Sequence, residues 1–225
     1  MSSSVSSQAE LPSPTRRNWV WFSFQFVLRL VFTFWLRYRA SGLEKIPKTG
    51  GALFIVNHQS YLDPLLVGLP LRRPVSYLAR DSLFPIPIVG WIVKNTYVMP
   101  LSREAASSSS IKEAVRRMKH GFLVGIFPEG TRTPDGSVHE FKPGFIAVVR
   151  RSKVPVYPVG IAGAYEAFPR GCWFLRPGKV RVVFGKPIPM EELDQLTKRG
   201  REDELVARIH QAVSACHQKA ESLRN

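Results

Sequence analysis

Short apolar runs alternate with amphipathic stretches along most of this chain, and the two patterns predict different elements. Apolar runs of the length of a buried strand occur near residues 51–56, 75–79, 97–101, 122–126 and 154–161, and residues 179–184 partly alternate. Helical patterns begin at Pro64 and span 104–119, 145–151, 190–197 and 201–222. Because strands and helices alternate, the sequence predicts an α/β fold with a mixed, largely parallel central sheet flanked by helices.

The N-terminal part of the chain has a different pattern. Residues 1–17 are rich in Ser and Pro and predict a disordered tail. Residues 19–36 are mostly aromatic or aliphatic, which is close to the ~20 apolar residues that a membrane span requires. Arg29 lies in the middle, and a central arginine costs ~2.5–3.5 kcal/mol on insertion scales. We therefore expect a membrane-associating helix over 18–40 that lies in, or dips into, one leaflet with its basic flanks on anionic headgroups, before a single domain over 41–225. The sequence does not distinguish this arrangement from a helix that spans the bilayer.

Three other interpretations of residues 19–36 stay open. A cleaved signal peptide would need a better cleavage site than Ala40-Ser41-Gly42. The arginine pair before the apolar run also resembles a twin-arginine signal. A buried core helix is the third possibility, although the many bulky aromatic residues weaken it.

Charge and cysteine content narrow the class of protein. The 225 residues carry 32 Lys and Arg against 17 Asp and Glu, a formal charge of +15, which suits an anionic membrane surface, an acidic substrate or a nucleic acid. No nucleic-acid-binding motif accompanies this charge, so we expect no nucleic-acid partner. Cys172 and Cys216 are too few for a disulfide scaffold or a cysteine zinc site.

The first candidate for chemistry is the segment 57–63, in which His58 and Asp63 have four residues between them (an HX4D motif). Five positions apart on one helix, they would point about 140° away from each other. At a turn between a strand and a helix, the carboxylate can instead bind one ring nitrogen and leave the other as a base for a hydroxyl. A plain capping role is the alternative, with Asp63 before Pro64 or Ser60 as the N-cap.

A second polar cluster follows the strand at 122–126. Gly130 allows the backbone to approach a ligand, and Arg132 and Lys142 can bind a phosphate. Glu129 can orient Arg132 or a substrate hydroxyl. A plain polar turn would show the same residue types. The proline-broken apolar stretch at 83–91 suits either core packing or contact with an acyl chain or a membrane.

These segments together resemble the glycerolipid acyltransferase family (PlsC-like). Residues 57–63 resemble its first motif and 127–133 its third. Arg103 matches the arginine that closes the second motif, although residues 100–102 depart from the usual aliphatic-Asp run, and 154–159 resemble the fourth. The four motifs occur in order over roughly 40–190, and the pattern is similar to that of bacterial 1-acyl-sn-glycerol-3-phosphate acyltransferases.

The resemblance implies a reaction and a set of roles. His58 would take the proton of the 2-hydroxyl of lysophosphatidic acid, and Asp63 would orient the imidazole. The hydroxyl would attack the thioester of acyl-CoA or acyl carrier protein, giving phosphatidic acid for phospholipid biosynthesis, with no metal, no cofactor beyond the co-substrate and no acyl-enzyme. The residues implied to hold the acceptor are Arg103, Glu129, Gly130, Thr131, Arg132 and Lys142. The expected location is the cytoplasmic face of the inner (plasma) membrane.

Three alternatives remain at this point. The acceptor could be another lysophospholipid, glycerol 3-phosphate or another lipid. The protein could be a thioesterase or a lipase, although the sequence has no Gly-x-Ser-x-Gly nucleophile elbow. It could also be a non-catalytic basic protein that binds membranes.

Overall fold

A computed structural model describes residues 11, 13, 19–80, 99–101 and 108–225. Most of the predicted tail, the apolar stretch at 83–91 and Arg103 lie outside the described residues.

The described residues contain one sheet of seven strands in the order β1-β7-β6-β2-β5-β3-β4. The strands are β1 (Arg39–Ser41), β2 (Ala52–Val56), β3 (Val75–Arg80), β4 (Met99–Leu101), β5 (Leu123–Ile126), β6 (Val156–Ala162) and β7 (Arg181–Phe184). Only β6 and β7 pair antiparallel, and every other neighbouring pair is parallel. The prediction of a mixed, largely parallel sheet is confirmed.

Seven helices accompany the sheet in the described part of the chain. They are α1 (Trp19–Trp35), α2 (Asp63–Gly68), α3 (Ser109–Lys119), α4 (Ile146–Ser152), α5 (Ala164–Ala167), α6 (Met190–Leu196) and α7 (Glu202–Ser222). Two 3-10 turns lie at Leu43–Lys45 and Pro143–Phe145. The sequence pattern did not predict β1 or α5, because three or four residues are too few to establish a periodicity.

The central strand β2 divides the core into two layers. All five of its residues are buried, which explains why its sequence is a continuous apolar run. Alternate side chains of a strand point to opposite faces. Phe54 therefore packs with residues of α1 and α2, whereas Leu53 and Ile55 pack with α3, α4 and α7. Helices cover both faces of the sheet, as predicted.

Helix α1 contacts the core along one side only. Phe32 is buried, and so is Leu36, which lies one residue beyond the end of the helix. The polar side chains that interrupt the apolar sequence also turn toward the protein. Gln25 Nε2 donates to the carbonyl oxygens of Leu69, at 2.9 Å, and Leu71, at 3.3 Å, and Arg29 Nη2 donates to that of Leu69 at 3.4 Å.

The opposite side of α1 is exposed and apolar. Among the described residues, no helix has the length and hydropathy needed to cross a membrane. The large exposed side chains on the outer side of α1 include Phe26, Val27, Leu30, Val31 and Phe34.

Gly160 gives a test of how β6 packs on α7. A Cβ atom at this position would lie 2.2 Å from backbone atoms of Cys216 and His217 in α7, and backbone atoms cannot move aside as a side chain can. We expect Gly160→Ala to lower the free energy of unfolding by about 1–3 kcal/mol, measured by urea denaturation.

Gly68→Ala is the matched control, because a Cβ at Gly68 would meet no heavy atom within 4 Å. This substitution should leave the unfolding free energy unchanged or raise it by up to about 1 kcal/mol. Equal stabilities of the two variants would contradict the close contact between β6 and α7.

Candidate active site

The polar residues singled out in the sequence lie on loops that leave one edge of the sheet. β2 is parallel to β5 on one side and to β6 on the other, so the carboxyl ends of all three strands meet at that edge. His58 follows β2, and Glu129 follows β5. The topology therefore brings together two segments that are about 70 residues apart in the sequence.

His58 and Asp63 are in direct contact. The imidazole Nδ1 lies 2.7 Å from Asp63 Oδ2, and the side chain of Asp63 is fully buried. The same carboxylate oxygen accepts the backbone N–H groups of Gln59, at 2.6 Å, and Ser60, at 2.8 Å. An ionised carboxylate only accepts, so Nδ1 carries the ring proton and donates it.

The other ring nitrogen of His58 is available for chemistry. No described residue forms a hydrogen bond with Nε2, and 18% of the side chain of His58 stays exposed. With the proton held on Nδ1, Nε2 has a free lone pair. The arrangement can therefore take a proton from a hydroxyl that reaches it from solvent or from a substrate.

The capping prediction for this segment was wrong. α2 begins at Asp63 and its N-cap is Leu62, with no side-chain cap, so neither Asp63 nor Ser60 is the N-cap. The carboxylate turns back to the preceding N–H groups instead, because a buried charge needs donors to replace its hydration. Ser60 Oγ donates to the carbonyl oxygen of Phe168 at 3.0 Å and accepts the N–H of Leu62.

Burial and hydrogen bonding shift the pKa of Asp63 in opposite directions. Complete burial raises the pKa of its carboxyl group, while the hydrogen bonds from His58, Ser60 and Gln59 favour the ionised form. All three donors act on Oδ2. The second oxygen, Oδ1, is buried and has no hydrogen-bond partner among the described residues.

Glu129 supports the backbone of His58. Its side chain is buried, and Oε1 accepts the backbone N–H of His58 at 2.9 Å. The N–H of Thr133 donates to the carbonyl oxygen of His58 at 2.8 Å, so the loop after β5 binds both sides of this residue. Glu129 does not orient Arg132 through a hydrogen bond, which was one of the roles considered from the sequence.

Burial raises the pKa of Glu129 to about 7, although the backbone N–H groups of His58 and His139 partly oppose this effect. Its second oxygen, Oε2, is buried and unpaired among the described residues. The carboxyl group therefore keeps its proton to a higher pH than an ordinary glutamate does.

Two aromatic rings set the plane of the imidazole. Phe127 stacks on His58 with 4.3 Å between ring centroids and 24° between planes. Tyr77 in turn stacks on Phe127, with 5.7 Å between ring centroids and 15° between planes. This stack could not be predicted from the sequence, because each aromatic residue has the pattern of ordinary strand packing.

Two basic residues lie near the end of the same loop, Arg132 half-buried and Lys142 exposed. The Arg132 guanidinium lies 3.5 Å from the centroid of the Tyr61 ring, which belongs to the first motif. Gly130 has φ +69°, and a Cβ there would lie 3.2 Å from Lys142 Cδ and Nζ, so the lysine crosses directly over the glycine. Thr131 is exposed beside them.

A pocket of about 360 Å³ opens at this cluster. Its lining residues are Glu129, Thr131, Arg132, Thr133, Pro134, His139 and Glu140. The structure thus brings the predicted binding residues Glu129, Thr131 and Arg132 to one cavity, with Gly130 and Lys142 next to it.

The side-chain amides of Asn57 and Gln59 bind the turn that carries His58 to β6 and to the start of α5. Asn57 Nδ2 donates to the carbonyl oxygen of Ile161 at 2.9 Å, and Asn57 Oδ1 accepts its N–H at 2.7 Å. Gln59 Oε1 accepts the N–H groups of Ala164 and Tyr165 at the start of α5. Sequence reasoning did not assign these roles, because the partners lie more than 100 residues away.

The sequence model of the family described as Acyltransferase matches residues 37–162, which is more than half of the chain and includes both motif loops. The chain belongs to this acyltransferase family.

Individual relatives of this acyltransferase carry more specific names. It is 35% identical over 164 residues to the chloroplastic 1-acyl-sn-glycerol-3-phosphate acyltransferase of Arabidopsis thaliana, covering 71% of this chain and 46% of the plant protein. It is 26% identical over 181 residues to the Bacillus subtilis protein named 1-acyl-sn-glycerol-3-phosphate acyltransferase, covering 80% of this chain and 88% of that protein. The acyltransferase thus spans about half the length of the plant relative.

A solved structure has the same fold as this acyltransferase. The crystal structure of the 1-acyl-sn-glycerophosphate (LPA) acyltransferase PlsC from Thermotoga maritima matches with a TM-score of 0.74 at 29% identity. The match covers 89% of this chain and 79% of the Thermotoga chain.

The raised pKa of Glu129 predicts a pH-dependent stability. A carboxyl group that keeps its proton longer in the folded state stabilises the protein below its unfolded pKa, and this stabilisation is lost as the pH rises through about 7. Glu129→Gln does not titrate. The unfolding free energy of the variant relative to the parent should therefore rise by roughly 2–3 kcal/mol between pH 4.5 and 7.5.

Urea denaturation of both proteins across this pH range measures the effect, and taking their difference cancels the contributions of other titrating groups. Glu140→Gln is the control, since Glu140 lines the same pocket but is exposed. A parent-to-variant difference that does not change with pH would show that the carboxyl group of Glu129 titrates in its ordinary range.

Proposed function

We propose that this acyltransferase moves an acyl group from the thioester of acyl-CoA or acyl carrier protein to the 2-hydroxyl of 1-acylglycerol 3-phosphate, giving phosphatidic acid. The observation that carries the proposal is the 2.7 Å contact between His58 Nδ1 and buried Asp63, which leaves Nε2 open. The names of the relatives from Arabidopsis thaliana, Bacillus subtilis and Thermotoga maritima support the same reaction.

The proposed chemistry needs no covalent bond to the protein. The acceptor hydroxyl gives its proton to His58 Nε2 while its oxygen attacks the thioester carbonyl, and Asp63 stabilises the imidazolium that forms. The new C–O ester bond replaces the C–S bond, and the thiolate leaves with the proton from His58. Ser60 is poorly suited to be a nucleophile, because its hydroxyl is buried and bound to Phe168 and Leu62.

The exposed basic cluster is the proposed site for the acceptor phosphate. Arg132 provides a planar donor whose orientation is fixed by Tyr61, and Lys142 adds a second positive charge beside Gly130. Thr131 can add a hydroxyl donor. Arg103 joins this set on the basis of the family resemblance alone. Glu129 then acts indirectly, through the hydrogen bond that it accepts from the backbone N–H of His58.

The proposed location is the cytoplasmic face of the inner (plasma) membrane, where the lipid substrates and the anionic headgroups are. The exposed apolar side of α1 supports this location, because it can lie on the bilayer while the polar side chains of Gln25 and Arg29 bind the protein. Residues 18–40 would then be the membrane-associating segment and 41–225 the acyltransferase domain.

The first test compares His58→Ala with Ser60→Ala. Labelled acyl-CoA and lysophosphatidic acid are supplied in detergent, and labelled phosphatidic acid is measured. Loss of the base should lower kcat by about 10²–10⁴-fold. Ser60→Ala should keep its turnover and lose about 1 kcal/mol of stability, since it removes one hydrogen bond to Phe168.

The products separate the alternatives. Acyl transfer only to another lysolipid would change the proposed acceptor and leave the proposed mechanism unchanged. Free fatty acid formed without an acceptor, together with loss of activity in Ser60→Ala, would identify a hydrolase that uses a serine nucleophile. No turnover with either donor class would favour the non-catalytic membrane-binding protein.

A second test concerns the contact between Arg132 and Tyr61. Arg132→Ala should raise the KM for the phosphorylated acceptor about ten- to hundredfold with a small change in kcat, because it removes a charge-assisted hydrogen bond. Tyr61→Ala should raise the same KM about two- to fivefold, since the cation–π contact that orients the guanidinium is lost.

Tyr61→Phe is the matched control, because it keeps the ring under Arg132 and should keep the parent KM. An unchanged KM in Arg132→Ala would rule out this residue as a phosphate ligand. An effect on kcat alone would indicate instead that the loop positions His58.

A further inference from the structure

The loop that follows α5 presents two large aromatic side chains to solvent. Trp173 is 88% exposed and Phe174 is 51% exposed, and their rings meet edge to face with 5.9 Å between centroids. Two adjacent exposed aromatic residues are costly in water and mark an interaction surface. The catalytic chemistry described above makes no use of them. Residues 168–178 are called the aromatic loop below.

The base of the aromatic loop is fixed to the protein, so its tip is held in a defined place. Trp35 Nε1 donates to the carbonyl oxygen of Leu175 at 3.0 Å, and the N–H of Gly178 donates to the carbonyl oxygen of Trp35 at 3.2 Å. Leu175 also packs against the core. The tip therefore adjoins the C-terminal end of α1, whose outer side is itself apolar and exposed.

The aromatic loop also contacts the turn that carries the base. Its first residue, Phe168, accepts the hydroxyl of Ser60, which lies between His58 and Asp63. One short segment thus joins the exposed aromatic tip to the candidate active site.

The charge around the aromatic loop identifies the kind of partner. Residues 168–179 contain Arg170, Arg176 and Lys179, all exposed, and no acidic residue. Residues 19–43 likewise contain three arginines and no acidic residue. The guanidinium of Arg176 lies 5.5 Å from the centroid of the Phe174 ring. Aromatic side chains at the headgroup level with basic neighbours are typical of proteins that bind the surface of an anionic bilayer.

We infer that Trp173 and Phe174 insert into the interfacial region of an anionic membrane as a second contact beside α1, and that they hold the mouth of the His58 site at the bilayer surface. The entry of a lipid acceptor from that surface rests on the proposed function. The membrane contact itself does not, because vesicle binding is measured without any acyl transfer.

The first experiment measures co-sedimentation of the full chain with vesicles of phosphatidylcholine and phosphatidylglycerol. The double variant Trp173→Ala/Phe174→Ala should bind about tenfold more weakly than the parent, because two apolar side chains no longer leave water. The matched control Trp173→Tyr/Phe174→Tyr keeps aromatic rings suited to the interface and should bind nearly as tightly as the parent. Equal binding by the alanine variant and the parent would overturn the inference.

The salt dependence of vesicle binding tests the role of the basic residues separately. Arg170→Gln/Arg176→Gln should weaken binding about fivefold for each charge removed at low salt, and the effect should fade at high salt. The same variant should bind vesicles of pure phosphatidylcholine as the parent does. A loss of binding that is independent of salt and of phosphatidylglycerol would contradict an electrostatic role.

A fluorescent probe on Cys172 reports the position of the tip directly. Cys216 is buried and burial raises its pKa to about 11, so a thiol reagent at neutral pH labels Cys172. Addition of the anionic vesicles should shift the emission of an environment-sensitive label to the blue and expose it to a lipid-soluble quencher. A label at Glu191→Cys in the Cys172→Ser background, at an exposed position of α6, should not respond.

Each remaining outcome bears on the inference. No shift at Cys172 while the protein still sediments with vesicles would leave α1 as the membrane contact and overturn the role of the aromatic loop. A shift that depends on protein concentration without vesicles would assign the tip to contact with a second copy. Normal vesicle binding by a parent protein that shows no acyl transfer would refute the proposed function alone.

Discussion

The buried carboxylate of Asp63 is the constraint on which the geometry of the site depends. A charge without hydration is costly in a protein interior unless donors replace the lost water. Three N–H groups converge on Oδ2, two from the backbone of the turn and one from His58. The path of the chain into α2, the tautomer of the imidazole and the direction of its open nitrogen all follow from this single desolvated group.

The loop after β5 restrains the backbone and the ring plane of His58, which the carboxylate of Asp63 alone does not restrain. Glu129 and Thr133 bind the backbone of His58 on both sides, and Phe127 stacks on its ring. The buried residues of this loop therefore hold His58, whereas the half-buried Arg132 contacts the ring of Tyr61. This division is physically reasonable, because a carboxyl group suits a site that offers backbone donors, and a guanidinium needs access to solvent and to an anionic ligand.

The surface near α1 inverts the usual arrangement of a helix on a soluble protein. Gln25 and Arg29 bind backbone carbonyl groups of the protein, and large apolar side chains such as Phe26 and Phe34 remain outside. Trp173 extends the same apolar character beyond the end of the helix. The outer side of α1 and Trp173 are therefore both apolar and exposed, and the hydrogen bond from Ser60 Oγ to the carbonyl oxygen of Phe168 joins the turn that carries His58 to the aromatic loop.

The amino-acid sequence predicted the α/β class, the position of most strands and helices, and a contact between His58 and Asp63 with a capping role as the alternative, because periodicity and local spacing are properties of neighbouring residues. It did not reveal β1 and α5, which are too short for a period. Three contacts became visible only in the folded chain: Asp63 binds the preceding N–H groups instead of capping α2, Glu129 binds the backbone of His58, and Asn57 bonds to Ile161. Those contacts depend on which strands become neighbours in the sheet, and no local pattern encodes that order.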